Sequence, residues 1–129
     1  MKNILIAITL VSSLVSCSKF ESNNKKEKKE FKFGYNLEGL ETCSDNSLAD
    51  PTNYPSNYKQ YILEELHFDE TCGCYTKGYV KYLDIDKYET VALIKYGQGE
   101  CDGHAIKIDC IDGKCNENNK CKISLNCRD

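Results

Sequence analysis

The 129-residue sequence has no tryptophan, one methionine, two prolines and two histidines. His67 and His104 are therefore the only imidazole bases on which a catalytic triad could be built. No Gly-x-Ser-x-Gly, His-Glu-x-x-His or Gly-x-x-x-x-Gly-Lys-Ser/Thr run occurs, so the signatures of hydrolase nucleophiles, helix-borne zinc and phosphate loops are missing. No Cys-x-x-Cys pair occurs either, and no βαβ pattern surrounds Cys72-Gly73-Cys74, which argues against a thioredoxin-like redox site. A basic excess is also lacking. Residues 34–129 carry ten Lys and Arg against seventeen Asp and Glu, a net of −7, and so offer no electrostatic footprint for nucleic acid. The longest apolar run, residues 4–15, falls short of the roughly 20 residues that a membrane span needs.

That run, introduced by Lys2 and broken by Thr9, Ser12 and Ser13, has the charged start and short apolar stretch of a secretory signal peptide, residues 1–16. It stops at Leu14-Val15-Ser16-Cys17. These four residues resemble the lipobox of bacterial lipoprotein precursors. The resemblance implies that a dedicated signal peptidase cuts before Cys17. It also implies that the Cys17 thiol receives a diacylglyceryl group and that the new amine is acylated, with palmitate as a typical chain. Two or three acyl chains, at about 0.8 kcal/mol per buried methylene, hold a protein to a bilayer where one holds it only reversibly. Ser18 stands where an aspartate would imply inner-membrane retention in Gram-negative lipoproteins, so the resemblance leans towards the outer membrane.

Residues 17–34 read as the lipidated cysteine and a charged tether. Six lysines and three glutamates crowd residues 18–33 without apolar periodicity, which makes either a plain spacer or a basic arm for anionic lipid or polysaccharide. Residues 35–129 form one small domain with eight further cysteines: Cys43, Cys72, Cys74, Cys101, Cys110, Cys115, Cys121 and Cys127. An even number in a small secreted domain reads as four disulfides, and the ninth cysteine is the one taken by lipid. Eight cysteines allow 105 pairings, so the connectivity stays open. One constraint follows from strand geometry. Cys72 and Cys74 would lie about 6–7 Å apart along one strand face with parallel side-chain vectors, so each should pair elsewhere.

The domain is expected to be mainly β: a small disulfide-rich antiparallel meander with at most one short helix. Residues 35–56 are rich in turn formers and read as an irregular lead-in held by Cys43. Tyr58, Tyr61, Ile62 and Leu66 fall at helical spacing, which predicts a short helix from 57 to about 66, although Leu66-His67-Phe68 could equally begin a strand. Strands are expected at 75–83, 90–96, 104–111 and 121–127, with turns at 84–87, 97–103 and 112–113. The stretch GYVKYLDIDKYETVALIKYGQGECDGHAIKI is similar to a pattern in uncharacterised Gram-negative envelope lipoproteins, a likeness that brings no activity with it.

Metal sites are weak on paper. His67, Cys72, Cys74 and His104 could surround zinc, but the Cys-x-Cys spacing is wrong for it. Asp84 with Asp86, or Asp109 with Asp112, fits no calcium loop, and turn chemistry accounts for both pairs. No metal or cofactor is expected. The tyrosine surplus is the best ligand signal. Tyr75 and Tyr79, four apart, should share a strand face, with Tyr82 opposite. With Tyr96 they make a candidate platform for a glycan or a protein; the other reading is half-buried sheet tyrosines. The functional expectation is a non-enzymatic binding or structural module, held at the bacterial envelope through its N-terminal lipid, with an unidentified protein or glycan ligand. The alternative is an inhibitor or immunity-type lipoprotein that blocks a secreted enzyme such as a lysozyme. A small hydrolase using an acid such as Asp102 ranks last.

Overall fold

The computed structural model describes residues 31–127. The leader 1–16, Cys17 and most of the tether 17–34 lie outside the described residues. A compact unit begins at Phe33, two residues before the boundary read from the sequence. Phe33 is buried, its ring meets Tyr79 edge-on at 5.6 Å, and its carbonyl accepts a hydrogen bond from Lys95 Nζ at 2.9 Å.

Five antiparallel strands follow one another in chain order: β1 (Tyr58–Asp69), β2 (Cys74–Asp84), β3 (Glu89–Gln98), β4 (His104–Ile111) and β5 (Lys114–Ser124). The expected meander is the observed fold, and no helix occurs among the described residues. The helix read at 57–66 is strand β1. Register shifts between Ile62 and Glu64, and between Glu64 and His67, insert extra residues into this edge strand. Each bulge breaks the period of two, and the surviving apolar spacing imitates a helical one. β5 also differs from expectation: it begins at Lys114 and ends at Ser124. The polar run after Gly113 pairs with β4 although it carries no apolar alternation.

One sheet face holds Val80, Tyr82, Ala92, Ile94, Tyr96, Ala105 and Ile123, all at most 1 % exposed. It is covered by an irregular layer, in which Cys43, Leu48, Ala49 and Tyr54 pack on it. Asx turns shape that layer: Asp45 Oδ1 accepts from Ser47 N and Asp50 Oδ1 from Thr52 N, both at 2.9 Å. The Ser47 hydrogen bonds hold the Asp45 carboxyl below its usual range, with Lys107 adding a smaller pull. Two buried hydroxyls fasten the layer and the sheet. Tyr96 donates to the Ala49 carbonyl at 2.9 Å, and Tyr82 receives Gln60 Nε2 at 3.0 Å. The opposite face places Leu93, Ile106 and Ile108 beside Lys81, Lys95, Lys120 and Lys122 in the cross-strand rows.

Four disulfides join the parts: Cys43–Cys121, Cys72–Cys101, Cys74–Cys127 and Cys110–Cys115. Cys72 and Cys74 do take separate, distant partners. Cys43–Cys121 ties the covering layer to β5. There residues 41–43 also run beside the strand, with Cys43 N donating to the Lys122 carbonyl at 2.8 Å and Lys122 N to the Glu41 carbonyl at 2.7 Å. That pairing satisfies part of the β5 edge, while β1 blunts the other edge with bulges and charges.

Candidate functional site

The richest surface feature lies where the end of β1, the start of β2 and the end of β5 converge under the covering layer. The β1–β2 turn is shaped by Asp69: its Oδ1 accepts from Thr71 N at 2.8 Å and its carbonyl from Gly73 N at 2.8 Å. Gly73, at φ 68°, takes a conformation that side chains disfavour. Cys74–Cys127 then fixes the chain after β5 against the start of β2, and Cys72–Cys101 fixes the turn to the β3–β4 loop.

These constraints enclose a cavity of about 450 Å³. That is ample for a small-molecule ligand. Phe68 and Tyr75 are its aromatic wall, with ring centroids 5.1 Å apart at 70°, and Tyr75 in turn leans on Tyr96 at 5.7 Å. Phe68 keeps 48 % of its surface exposed. Asn46, Asp50, Thr52, Ser124 and Asn126 supply the polar lining. Asp50 is its one carboxylate, and its Oδ1 is held by the Thr52 backbone N at 2.9 Å and by the Thr52 hydroxyl at 2.6 Å. The side chains of Asn46, Ser124 and Asn126 make no hydrogen bond among the described residues, so their donors and acceptors face outward unspent. A second, more open depression of about 640 Å³ is lined by His67, Asp69, Glu70, Thr76, Lys77 and Gln98. Phe68 borders both.

The tyrosine platform expected from the sequence does not exist as such. Tyr79 is 3 % and Tyr96 0 % exposed; neither can offer a ring to a ligand. Tyr75 and Tyr79 also do not share surroundings. Tyr75 packs on the core with Tyr96, whereas Tyr79 meets Phe33 and the Lys95 ammonium, and Tyr82 lies with the Tyr75 side of the sheet. The break falls where β2 carries an extra residue of its own, between Tyr75 and Lys77, and then passes through Gly78. At φ 126° this glycine sits where β1 and β3 both bulge, and a Cβ there would fall 2.8 Å from Leu66 Cα and 3.0 Å from the Glu65 carbonyl oxygen. Of the three candidates, Tyr75 alone lines the cavity. Phe68, Asn46 and Asn126 were missed. The available signal was Phe68 itself, an aromatic residue set directly before the polar turn residues Asp69-Glu70-Thr71.

The remaining candidates resolve into structure. Both oxygens of Asp102 are used: Oδ1 accepts from His104 N at 3.0 Å and Oδ2 from the Tyr35 hydroxyl at 2.7 Å. Burial, then Asp102, raise the Tyr35 phenol above its ordinary range. His104 Nδ1 lies 2.7 Å from the Asp102 carbonyl, and His67 is an exposed side chain 3.7 Å from Glu65. Cys72 and Cys101 lie close to Asp69, but both sulfurs are already bonded to each other and present no thiolate for zinc. Asp84 Oδ1 caps Asp86 N and Lys87 N at 2.9 and 3.3 Å, and Asp109 pairs with Lys107 Nζ at 3.1 Å. Asp112 takes a turn conformation at φ 52°.

No protein-family model matches the chain, and neither a curated protein nor a solved structure matches it.

Proposed function

We propose that the protein is a lipid-anchored envelope module that binds a ligand without transforming it, held at the outer membrane through Cys17. The anchor rests on Leu14-Val15-Ser16-Cys17, and the oxidised framework suits an extracytoplasmic compartment. The observation that carries the binding reading is the cavity beside Phe68: an exposed aromatic wall, unspent amides, and a single carboxylate already engaged by Thr52. Paired acid and base groups are what turnover chemistry needs, and this lining holds one acid. Native mass spectrometry of the detergent-extracted protein, incubated with small molecules from an envelope extract, tests it. A retained ligand that is lost in Phe68→Ala supports the reading. Consumption of any extract component by the protein, abolished in Asp102→Asn, contradicts it.

A second reading, inhibition of a secreted enzyme, has one observation in its favour. The β2–β3 hairpin tip projects Tyr88, 80 % exposed at φ 55°, with Ile85 also exposed. The β4–β5 tip lies beside it, since a Cβ at Gly113 would come 3.4 Å from Glu89 Cγ, and it carries Ile111 at 63 % exposed. An apolar tip on an acidic domain suits a basic enzyme. Retention on immobilised lysozyme at low salt, lost in Tyr88→Ala, would favour this reading; no retention removes it.

A further inference from the structure

We infer that the ligand is an uncharged, extended glycan that crosses the Phe68 ridge, with sugar units in the depressions on both sides. The inference rests on the binding reading above and names its chemical class. Phe68 borders two depressions, of about 450 and 640 Å³, and its ring stands half exposed between them. A half-exposed ring shared by a mixed apolar and polar hollow and a polar one is a poor place for a compact ligand, which would fill one hollow and leave part of the ring wet. It suits a chain whose central unit lays its C–H face on the ring while its neighbours reach down on either side. Tyr75 meets the Phe68 ring edge-on at 5.1 Å and fixes its orientation.

The polar groups fit hydroxyls and amides better than ions. In the first hollow Asn46, Ser124 and Asn126 offer both donors and acceptors, and the one charge is Asp50. In the second, Lys77 offsets one of the two acids, and the Asp69 carboxylate is already engaged by the turn amides of Thr71 and Cys72. Residues 34–129 carry a net −7, which repels anionic polymers. A peptide in extended form would look for a strand edge to pair with. Here the lining is side chains and turn backbone, the nearby β1 is bulged, and the rim amides await lateral partners. The disulfides Cys74–Cys127 and Cys72–Cys101 hold the elements that carry these side chains, so little ordering remains to be done on binding.

Calorimetric titration of the detergent-solubilised, full-length mature protein with β-linked N-acetylglucosamine oligomers, monomer to tetramer, tests the assignment. Neutral tetrapeptides run in parallel. Affinity should climb with oligomer length until both hollows are filled. Phe68→Ala should weaken it about tenfold or more, as loss of an aromatic anchor does. Asn126→Ala and Asn46→Ala should each weaken it less, and Tyr88→Ala, at the far end of the sheet, should leave it unchanged. Because Phe68 is half exposed, its variant should still unfold in one cooperative transition, lowered by several degrees for the lost contact with Tyr75, which separates lost binding from lost folding. Peptide binding that vanishes in Phe68→Ala, with no saccharide bound, overturns the glycan assignment while the binding reading stands. Saccharide binding that ignores length or Phe68 overturns the ridge geometry. Silence from every probe overturns the assignment, and silence also towards the envelope extract removes the binding reading with it.

Discussion

Removing Cys43–Cys121 should cost the domain far more than removing Cys110–Cys115, and chain topology gives the ratio. The two bridges close 78 and five residues respectively when taken alone. In the chain-entropy account those loops correspond to about 4.5 and about 2 kcal/mol at room temperature. The long loop is not independent, however. Cys74–Cys127 offers a short cut: 31 residues from Cys43 to Cys74, then six from Cys127 back to Cys121. A closed path of about 37 residues lowers the figure to about 4 kcal/mol. Cys43 is also 6 % exposed within the core cluster, so its truncation adds a packing loss of about 1 kcal/mol in the same direction. Urea unfolding of Cys43→Ala/Cys121→Ala and of Cys110→Ala/Cys115→Ala, followed by the near-ultraviolet tyrosine signal, measures both. The first variant should lose about 3 kcal/mol more than the second. It should also show the larger m value, since its denatured chain expands more. Equal losses, or a larger loss from the hairpin bridge, would refute the reasoning.

Gly78→Ala should destabilise the domain by several times the cost of Gly34→Ala. The first places a Cβ 2.8 Å from the Leu66 backbone at φ 126°, whereas nothing lies within 4 Å of the second; thermal melts compare them. Burial raises the phenols of Tyr82 and Tyr96, and burial with Asp102 raises Tyr35. Their folded-state values lie above the unfolded value of about 10, so their contribution is complete below that pH and is lost as pH rises past it. Absorbance of tyrosinate during alkaline titration should show these three ionising late and together with unfolding; early, independent ionisation would contradict the burial. Cys101→Ser frees the Cys72 thiol 3.8 Å from the Cys74 sulfur. Its thiolate should attack Cys74, form Cys72–Cys74 and expel the Cys127 thiolate, and peptide mapping after alkylation should find Cys127 labelled. Label confined to Cys72 would show that the two sulfurs do not exchange.

The meander was legible because its inner strands obey simple rules. β4 alternates cleanly, and Asp112-Gly113 marks its turn, so residues 104–111 were readable to the residue. β1 was not, because bulges at Leu63 and beyond scramble a period that the eye then takes for helix. A separate shift, with an extra residue in β2 between Tyr75 and Lys77, parts Tyr75 from Tyr79 and leaves Tyr79 against Phe33. Gly78 hinted at it, but a glycine inside a strand pattern does not say which neighbour bulges. The cavity was less legible still. Its lining comes from three chain regions, around residues 46–52, 68–75 and 124–126, which strand pairing and Cys74–Cys127 bring together. With 105 possible pairings, composition could not have assembled them. Cys72 and Cys74 do take separate partners, but not through the strand geometry expected: Cys72 lies in the turn, Gly73 is at φ 68°, and the two sulfurs come within 3.8 Å.

Intact mass spectrometry of the protein extracted from membranes would read the state of all nine cysteines at once, the proposed lipid on Cys17 and the four bridges among the other eight. The extracted chain should start at Cys17 and be heavier than its residues by a diacylglyceryl group and an acyl chain. It should be lighter by eight hydrogens than its reduced form, with no thiol open to alkylation. An unlipidated chain that still begins at Met1, or one that takes up alkylating reagent without reduction, would contradict it.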